Sequence, residues 1–298
     1  MDIHQWQRTG KWHQFQDQAI FCQCEGNGEP LLLLHGFPSA SWDWHKIWPD
    51  LAKRFQVLTL DFLGFGFSDK PQGYSYSIFK QADLVEQFLN VMGVSRCHLL
   101  SHDYGDTVAQ ELLARHNEHS LPFQLGSICF LNGGLFPEVH QPLFIQNLLS
   151  SPIGNLVSRL ITRKRFEVSM SRLFSPQSLP DEVLLAQFWE LIEYNNGRAI
   201  IHLLIKYMEE RRCHRHRWVD ALQESDIPLC LINGLDSLVS GEAMADRFES
   251  LLQANKNKRV SLVRLGRVGH YPQIEEPQKV LKYFLRFRHD AELFNSTQ

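Results

Sequence analysis

Leu99-Leu100-Ser101-His102-Asp103-Tyr104-Gly105-Asp106 carries a short apolar run straight into an amphipathic stretch. A strand that enters a helix through so tight a turn exposes one reactive side chain at the edge of a sheet. The turn needs small residues two positions before and two after that side chain. Centred on Asp103 the flanks are Ser101 and Gly105; centred on Ser101 they would be Leu99 and Asp103. The candidate nucleophile is therefore a carboxylate. A carboxylate suits displacement of a leaving group from sp³ carbon, which leaves an alkyl ester on the enzyme. Water must then cleave that ester, so a general base and donors for a transient oxyanion are required.

Working outward from this turn, apolar runs alternate with amphipathic stretches, the pattern of a mostly parallel sheet covered by helices on both faces. The expected strands are Pro30 to His35, Gln56 to Phe62, Cys97 to His102, Gly126 to Leu131, Pro228 to Asn233 and Arg259 to Leu265. Trp12 to Cys24 reads as an antiparallel entry hairpin. Helices are expected at Trp42 to Lys53, Asp103 to His116, Gly241 to Gln253 and Pro277 to Arg288. Another begins after Ser77, a capping residue, and ends at Gly93. From Gly134 to Glu224 the strand-like runs stop and only helical stretches remain, punctuated by Pro152, Pro176 and Pro180. The reading is an α/β core from residues 1–133 and 225–298 with a helical cap, 134–224, inserted between two strands. Such an insert would cover the crevice at the carboxyl edge of the sheet.

The chain has 298 residues, 44% hydrophobic and 21% charged, with a formal net charge of −3. This composition excludes a disordered chain and provides no global field for nucleic acid or an anionic membrane, so any basic patch must be local. Six scattered cysteines in a chain able to bury its own core fit a reducing compartment. The polar start and the lack of a long apolar run lead to an expectation of a soluble, cytoplasmic protein with no membrane partner.

The remaining chemistry has candidates after the appropriate strands. His270, in Arg267-Val268-Gly269-His270-Tyr271-Pro272, follows the last strand as general base. Asp236, in Asn233-Gly234-Leu235-Asp236, follows the preceding strand and would hold the imidazole in its working tautomer. The backbone N–H groups of Phe37 and Tyr104 would form the oxyanion hole.

Together these motifs resemble the aspartate-nucleophile branch of the α/β-hydrolase superfamily, which includes epoxide hydrolases and haloalkane dehalogenases. A closer resemblance is to the mesoderm-specific transcript proteins of animals. It is carried by His35-Gly36-Phe37-Pro38-Ser39, Asp61 to Pro71, Tyr76-Ser77-Ile78-Phe79, Ser101 to Glu111, Asn132-Gly133-Gly134, Arg217-Trp218-Val219 and His270-Tyr271-Pro272-Gln273, in that order. The resemblance implies an α/β-hydrolase fold and a small-molecule substrate, with no cofactor and no metal; a monomer or a homodimer is expected. His35, beside the oxyanion loop, is a candidate substrate-binding residue.

Within that framework, a dehalogenase needs halide donors, usually a Trp after the nucleophile, where this chain has Tyr104; Trp189 or Trp218 from the cap could substitute. An epoxide hydrolase needs phenols in the cap to protonate the opening oxygen. Tyr207 lies where one is expected, and Tyr194 is the available second. Epoxide hydrolysis is the leading expectation, with dehalogenation, ester or lactone hydrolysis, and a non-catalytic receptor as alternatives.

Plainer readings apply to other signals. Asp106 complements the helix dipole. Asn132 stands where some relatives keep the acid, but an amide cannot serve as that anion. Gly64-Phe65-Gly66 lacks the third glycine of a dinucleotide loop and reads as a strand exit. Cys22 and Cys24 read as two buried thiols, and Arg211 to Trp218 as a solvated hinge face.

Overall fold

The computed structural model describes residues 1–254 and 260–296. Its eight strands are β1 (Lys11–Phe15), β2 (Gln18–Glu25), β3 (Glu29–Leu34), β4 (Phe55–Leu60), β5 (Arg96–His102), β6 (Gln124–Leu131), β7 (Leu229–Gly234) and β8 (Val260–Leu265). They form one sheet in the order β1-β2-β4-β3-β5-β6-β7-β8. The β1–β2 and β2–β4 pairs are antiparallel and all later pairs parallel, so the expected entry hairpin and parallel core are both present. The central strands β3, β5, β6 and β7 are buried almost throughout, as strands roofed on both faces must be. Arg259, placed by the sequence in the last strand, lies outside the described residues.

The helices are α1 (Ile3–Thr9), α2 (Trp48–Ala52), α3 (Ile78–Val91), α4 (Tyr104–Asn117), α5 (Phe144–Ser150), α6 (Gly154–Leu160), α7 (Arg163–Ser171), α8 (Glu182–Glu193), α9 (Ile201–Leu204), α10 (Tyr207–Cys213), α11 (Arg215–Glu224), α12 (Glu242–Ala254), α13 (Pro272–Glu275) and α14 (Pro277–Ser296). The helix expected over Trp42 to Lys53 is broken in two: a 3₁₀ turn at Ser41–Trp44, then α2. Pro49 lacks the N–H that a continuous helix needs and its ring would strike the carbonyl four residues back, so it can only begin a helix. The N-terminal helix α1 carries too few residues to show a period in the sequence. Asp2 caps it by accepting the Gln5 N–H at 2.7 Å, and it buries Ile3 and Trp6.

Helices α5 to α11 leave after β6 and return before β7, two strands that are neighbours in the sheet. The loops that leave these strands are tied together by Asn132. Its amide oxygen accepts the Gly234 N–H at 2.7 Å and its amide nitrogen donates to the Gly234 carbonyl at 3.0 Å. The return is strapped to α4 by Glu111, which accepts from Arg217 at 2.7 Å and from the Trp218 indole at 2.9 Å. Gly64-Phe65-Gly66 is a strand exit, closed by the Asp61 carboxylate on the N–H groups of Ser41 and Phe67, both at 2.7 Å. Of the two cysteines read as buried, Cys22 is, but Cys24 is exposed, because β2 runs past the hydrophobic cover at its far end.

Candidate active site

Asp103 sits at φ +46° and ψ −100° between β5 and α4, a conformation that L residues rarely adopt and that fits a strained turn presenting a side chain. The small-residue rule has a visible cause. A Cβ on Gly105 would lie 2.4 Å from the Leu34 carbonyl oxygen, against which the turn packs. The Asp103 Oδ2 accepts the Phe37 N–H at 3.0 Å, so the loop after β3 faces the nucleophile candidate with a backbone donor. That loop comes so near that a Cβ on Gly36 would lie 2.5 Å from the His102 Nδ1. Tyr104 opens α4, where the first N–H groups of a helix have no intrahelical acceptor.

His270 follows β8, and both it and Asp103 line the same cavity. Its Nδ1 faces two hydroxyls, Ser237 Oγ at 3.2 Å and Ser240 Oγ at 3.3 Å. The Ser240 hydroxyl donates its proton to the Asn132 carbonyl at 2.7 Å, so its lone pairs are turned to the imidazole. The network thus assigns the proton to Nδ1 and leaves the Nε2 lone pair available as a base. Asp236, expected in this role, does not reach it. Its Oδ2 accepts from Ser175 Oγ of the cap at 2.7 Å. Among the described residues no carboxylate pairs with His270. The reason is one of register: the turn after Gly234 points the residue after Asp236, not Asp236 itself, at the imidazole.

Burial alone would raise the pKa of Asp103, but the positive field of His270, Arg211 and His102 and the Phe37 N–H outweigh it and hold the carboxylate below its ordinary range. Burial lowers the His270 pKa, outweighing the pull of Asp103 in the other direction, and Arg211 adds to the lowering. The neighbouring Asp106, in the first turn of α4 as expected, is the opposite case: burial pushes its pKa well above the ordinary carboxylate value. One anion and one neutral imidazole are what the two-step reaction needs.

Within the segment read as a solvated face, Arg212, Cys213 and His216 are exposed, but Arg211 is not. On α10 it is 2% exposed, donates Nη2 to the Asp103 carbonyl at 3.0 Å and Nε to Thr107 Oγ1 at 2.6 Å, and stands 3.5 Å from Asp103 Oδ1. His140 belongs to the site too, although no sequence motif surrounds it. It lines the cavity, and burial first, then the Arg211 charge, lowers its pKa to about 3, so it is neutral.

The cavity holds about 320 Å³ and is walled mostly by cap residues, among them Leu149, Val157, Phe166, Met170 and Ile201, with Asp103 and His270 at its floor. Tyr207 is buried beside it, its ring 4.9 Å from Tyr104, 5.8 Å from Phe37 and 4.5 Å from the Arg211 guanidinium. Burial raises the pKa of its hydroxyl, and the neighbouring Arg211 guanidinium pulls the other way. The other cap candidates are elsewhere. Tyr194 packs on Phe67 and under Lys70, Trp189 packs on Phe166 and Arg198, and Trp218 is committed to Glu111. His35 is structural: its Nε2 accepts the Phe62 N–H at 3.0 Å and its Nδ1 contacts the Gly36 carbonyl at 2.9 Å, so neither nitrogen is left for a substrate.

Comparison with known proteins agrees with this architecture. The alpha/beta hydrolase fold family matches residues 29–124. The mesoderm-specific transcript protein of Mus musculus is 40% identical over 298 aligned residues, covering 96% of this chain and 87% of that protein. LipZ of Mycobacterium tuberculosis is 37% identical over 278, covering 93% and 94%. Among solved structures, the haloalkane dehalogenase DbeA of Bradyrhizobium elkani superposes with a TM-score of 0.79 at 20% identity, covering 95% of this chain and 98% of that one.

Proposed function

The chain belongs to the mesoderm-specific transcript group of the α/β-hydrolase-fold family, and from that premise we propose that it is a hydrolase working through a covalent ester on Asp103, with epoxide opening as its reaction. The observation that carries the reading is the pairing of an ionised Asp103 on a strained turn with a neutral His270 at the floor of one apolar cavity. In the first step an Asp103 oxygen bonds to an epoxide carbon as that carbon's bond to the ring oxygen breaks. The ring oxygen takes a proton from a cap donor. In the second step His270 Nε2 removes a proton from water, which attacks the Asp103 carboxyl carbon. The Phe37 and Tyr104 N–H groups hold the oxyanion; as it collapses, the ester C–O bond breaks, and the two protons of that water, one on His270 and one on the new carboxyl group, pass to the departing alkoxide and back to the cap donor, which releases a diol and restores the carboxylate.

Tyr207 supports epoxide over halide. It is a buried phenol, protonated at neutral pH because burial raises its pKa, packed between Phe37 and Tyr104, the two residues of the oxyanion loop and elbow, and such a group can donate to an opening ring oxygen. Halide departure would need indole donors, and both Trp189 and Trp218 are engaged away from the cavity. The test is a single turnover in ¹⁸O water with long-chain terminal epoxides. The first diol formed should contain only ¹⁶O, the label remaining on Asp103. Label appearing directly in the first-turnover diol would mean that water attacks the epoxide itself and would end the covalent reading.

A further inference from the structure

Helix α6 turns Val157 to the cavity but also carries an apolar face outward. Its buried positions are Gly154 and Ser158, while Leu156 and Leu160, together with Ile153 just before the helix, are exposed. Residues 153, 156 and 160 share one face at helical spacing, so they form a continuous apolar stripe in water. Phe144 on α5, 81% exposed, and Val168 on α7 are further exposed apolar residues of the helices that flank α6 in the chain. Isolated exposed apolar residues are ordinary, whereas a stripe of this kind marks a contact surface.

Charge identifies what the surface contacts. From residue 140 to 175 the chain carries Arg159, Arg163, Lys164, Arg165 and Arg172 against a single acid, Glu167, although the whole chain is net negative. Glu167 is taken by Arg163 at 2.7 Å. Leu160 and Arg165 are both exposed and also line the catalytic cavity, so the cavity meets solvent within this patch. An apolar stripe flanked by cations is the pattern of a surface helix lying at a lipid interface with anionic headgroups. A second copy is a poor match, because a two-fold contact would set the cations of one patch against those of the other.

We propose that the outer face of α5 to α7 docks on an anionic lipid surface, setting the mouth of the cavity against the lipid. This departs from the expectation of no membrane partner, which followed from overall charge and from the lack of a long apolar run; the local excess is masked by the acidic remainder of the chain. The docking is independent of the reaction assigned above.

The experiment is co-flotation of the full chain with phosphatidylcholine vesicles, with and without phosphatidylserine. The protein should float with the serine-containing vesicles and be released by salt. Ile153→Gln with Leu156→Gln, and separately Arg159→Glu with Lys164→Glu, should each reduce the bound fraction about tenfold or more. Leu179→Gln with Val183→Gln, an exposed apolar pair elsewhere in the cap, should leave it unchanged, with near-ultraviolet circular dichroism reporting the fold of each variant. Wild-type protein that stays unbound, or native-folded patch variants that float as wild type does, would overturn the proposal. So would a wild-type dimer that the Ile153→Gln, Leu156→Gln variant dissociates, since the patch would then be a self-association surface.

Discussion

Asp103 and Arg211 stand 3.5 Å apart, yet the first is placed by its immediate neighbours in sequence and the second by packing across 108 residues. The sheet side of the catalytic cavity is a set of strand exits. A strand end, a small residue and a helix start fix where Asp103 points, and the same local grammar places Phe37 and His270. The cap side has no such grammar. Its side chains arrive from separate helices, and whether a basic residue faces water or the nucleophile depends on how those helices pack on the sheet.

That contrast can be broken or sharpened by substitution. The largest effect should come from the sheet side. Asp103→Asn keeps shape and removes the nucleophile, so turnover in steady-state assays should fall by about 10⁴-fold or more. Arg211→Met should act instead on cohesion between cap and core, because the Asp103 carbonyl and Thr107 hydroxyl lose a buried partner. The melting temperature should drop by about 5 °C or more. A melting temperature equal to wild type would mean that the cap does not depend on this contact.

A smaller effect separates the two candidates for orienting the base. Ser237→Ala with Ser240→Ala should slow the ester-hydrolysis step about tenfold, the worth of one to two hydrogen bonds, whereas Asp236→Asn should change it little. The reverse order would restore the acid role to Asp236. In the wild type the base works when deprotonated, and burial moves its pKa down. The rate should therefore be flat through neutral pH and fall only on the acid side, below the ordinary imidazole value of 6.5. An acid limb above that value in the kcat profile would contradict the assigned electrostatics.

The sequence reading of the strands, the entry hairpin, the elbow and the oxyanion loop depended on patterns local enough to survive without tertiary information. It was defeated wherever a single residue of register or a distant helix decided the outcome. Asp236 is the acid after the penultimate strand, but the turn there presents Ser237 and Ser240, and nothing in Asp236-Ser237 distinguishes the two directions in advance. Arg211 looks in sequence like the charged residues around it, of which Arg215 pairs with Glu138 and Arg217 with Glu111. Only the approach of α10 to Asp103 separates it from them. His35 was drawn in by its nearness to Phe37, and its two backbone contacts show that nearness in sequence is weaker evidence than a spare hydrogen-bonding site.

The central claim, a covalent ester on Asp103 that His270 resolves, is tested most directly by intact-protein and peptide mass spectrometry of His270→Gln after incubation with terminal epoxides. The account predicts that the protein gains the mass of the whole epoxide, located on the peptide containing Asp103, and that the adduct is lost in the Asp103→Asn, His270→Gln double variant. An adduct that persists in the double variant, or epoxide consumed by His270→Gln with no mass gain on that peptide, would contradict it.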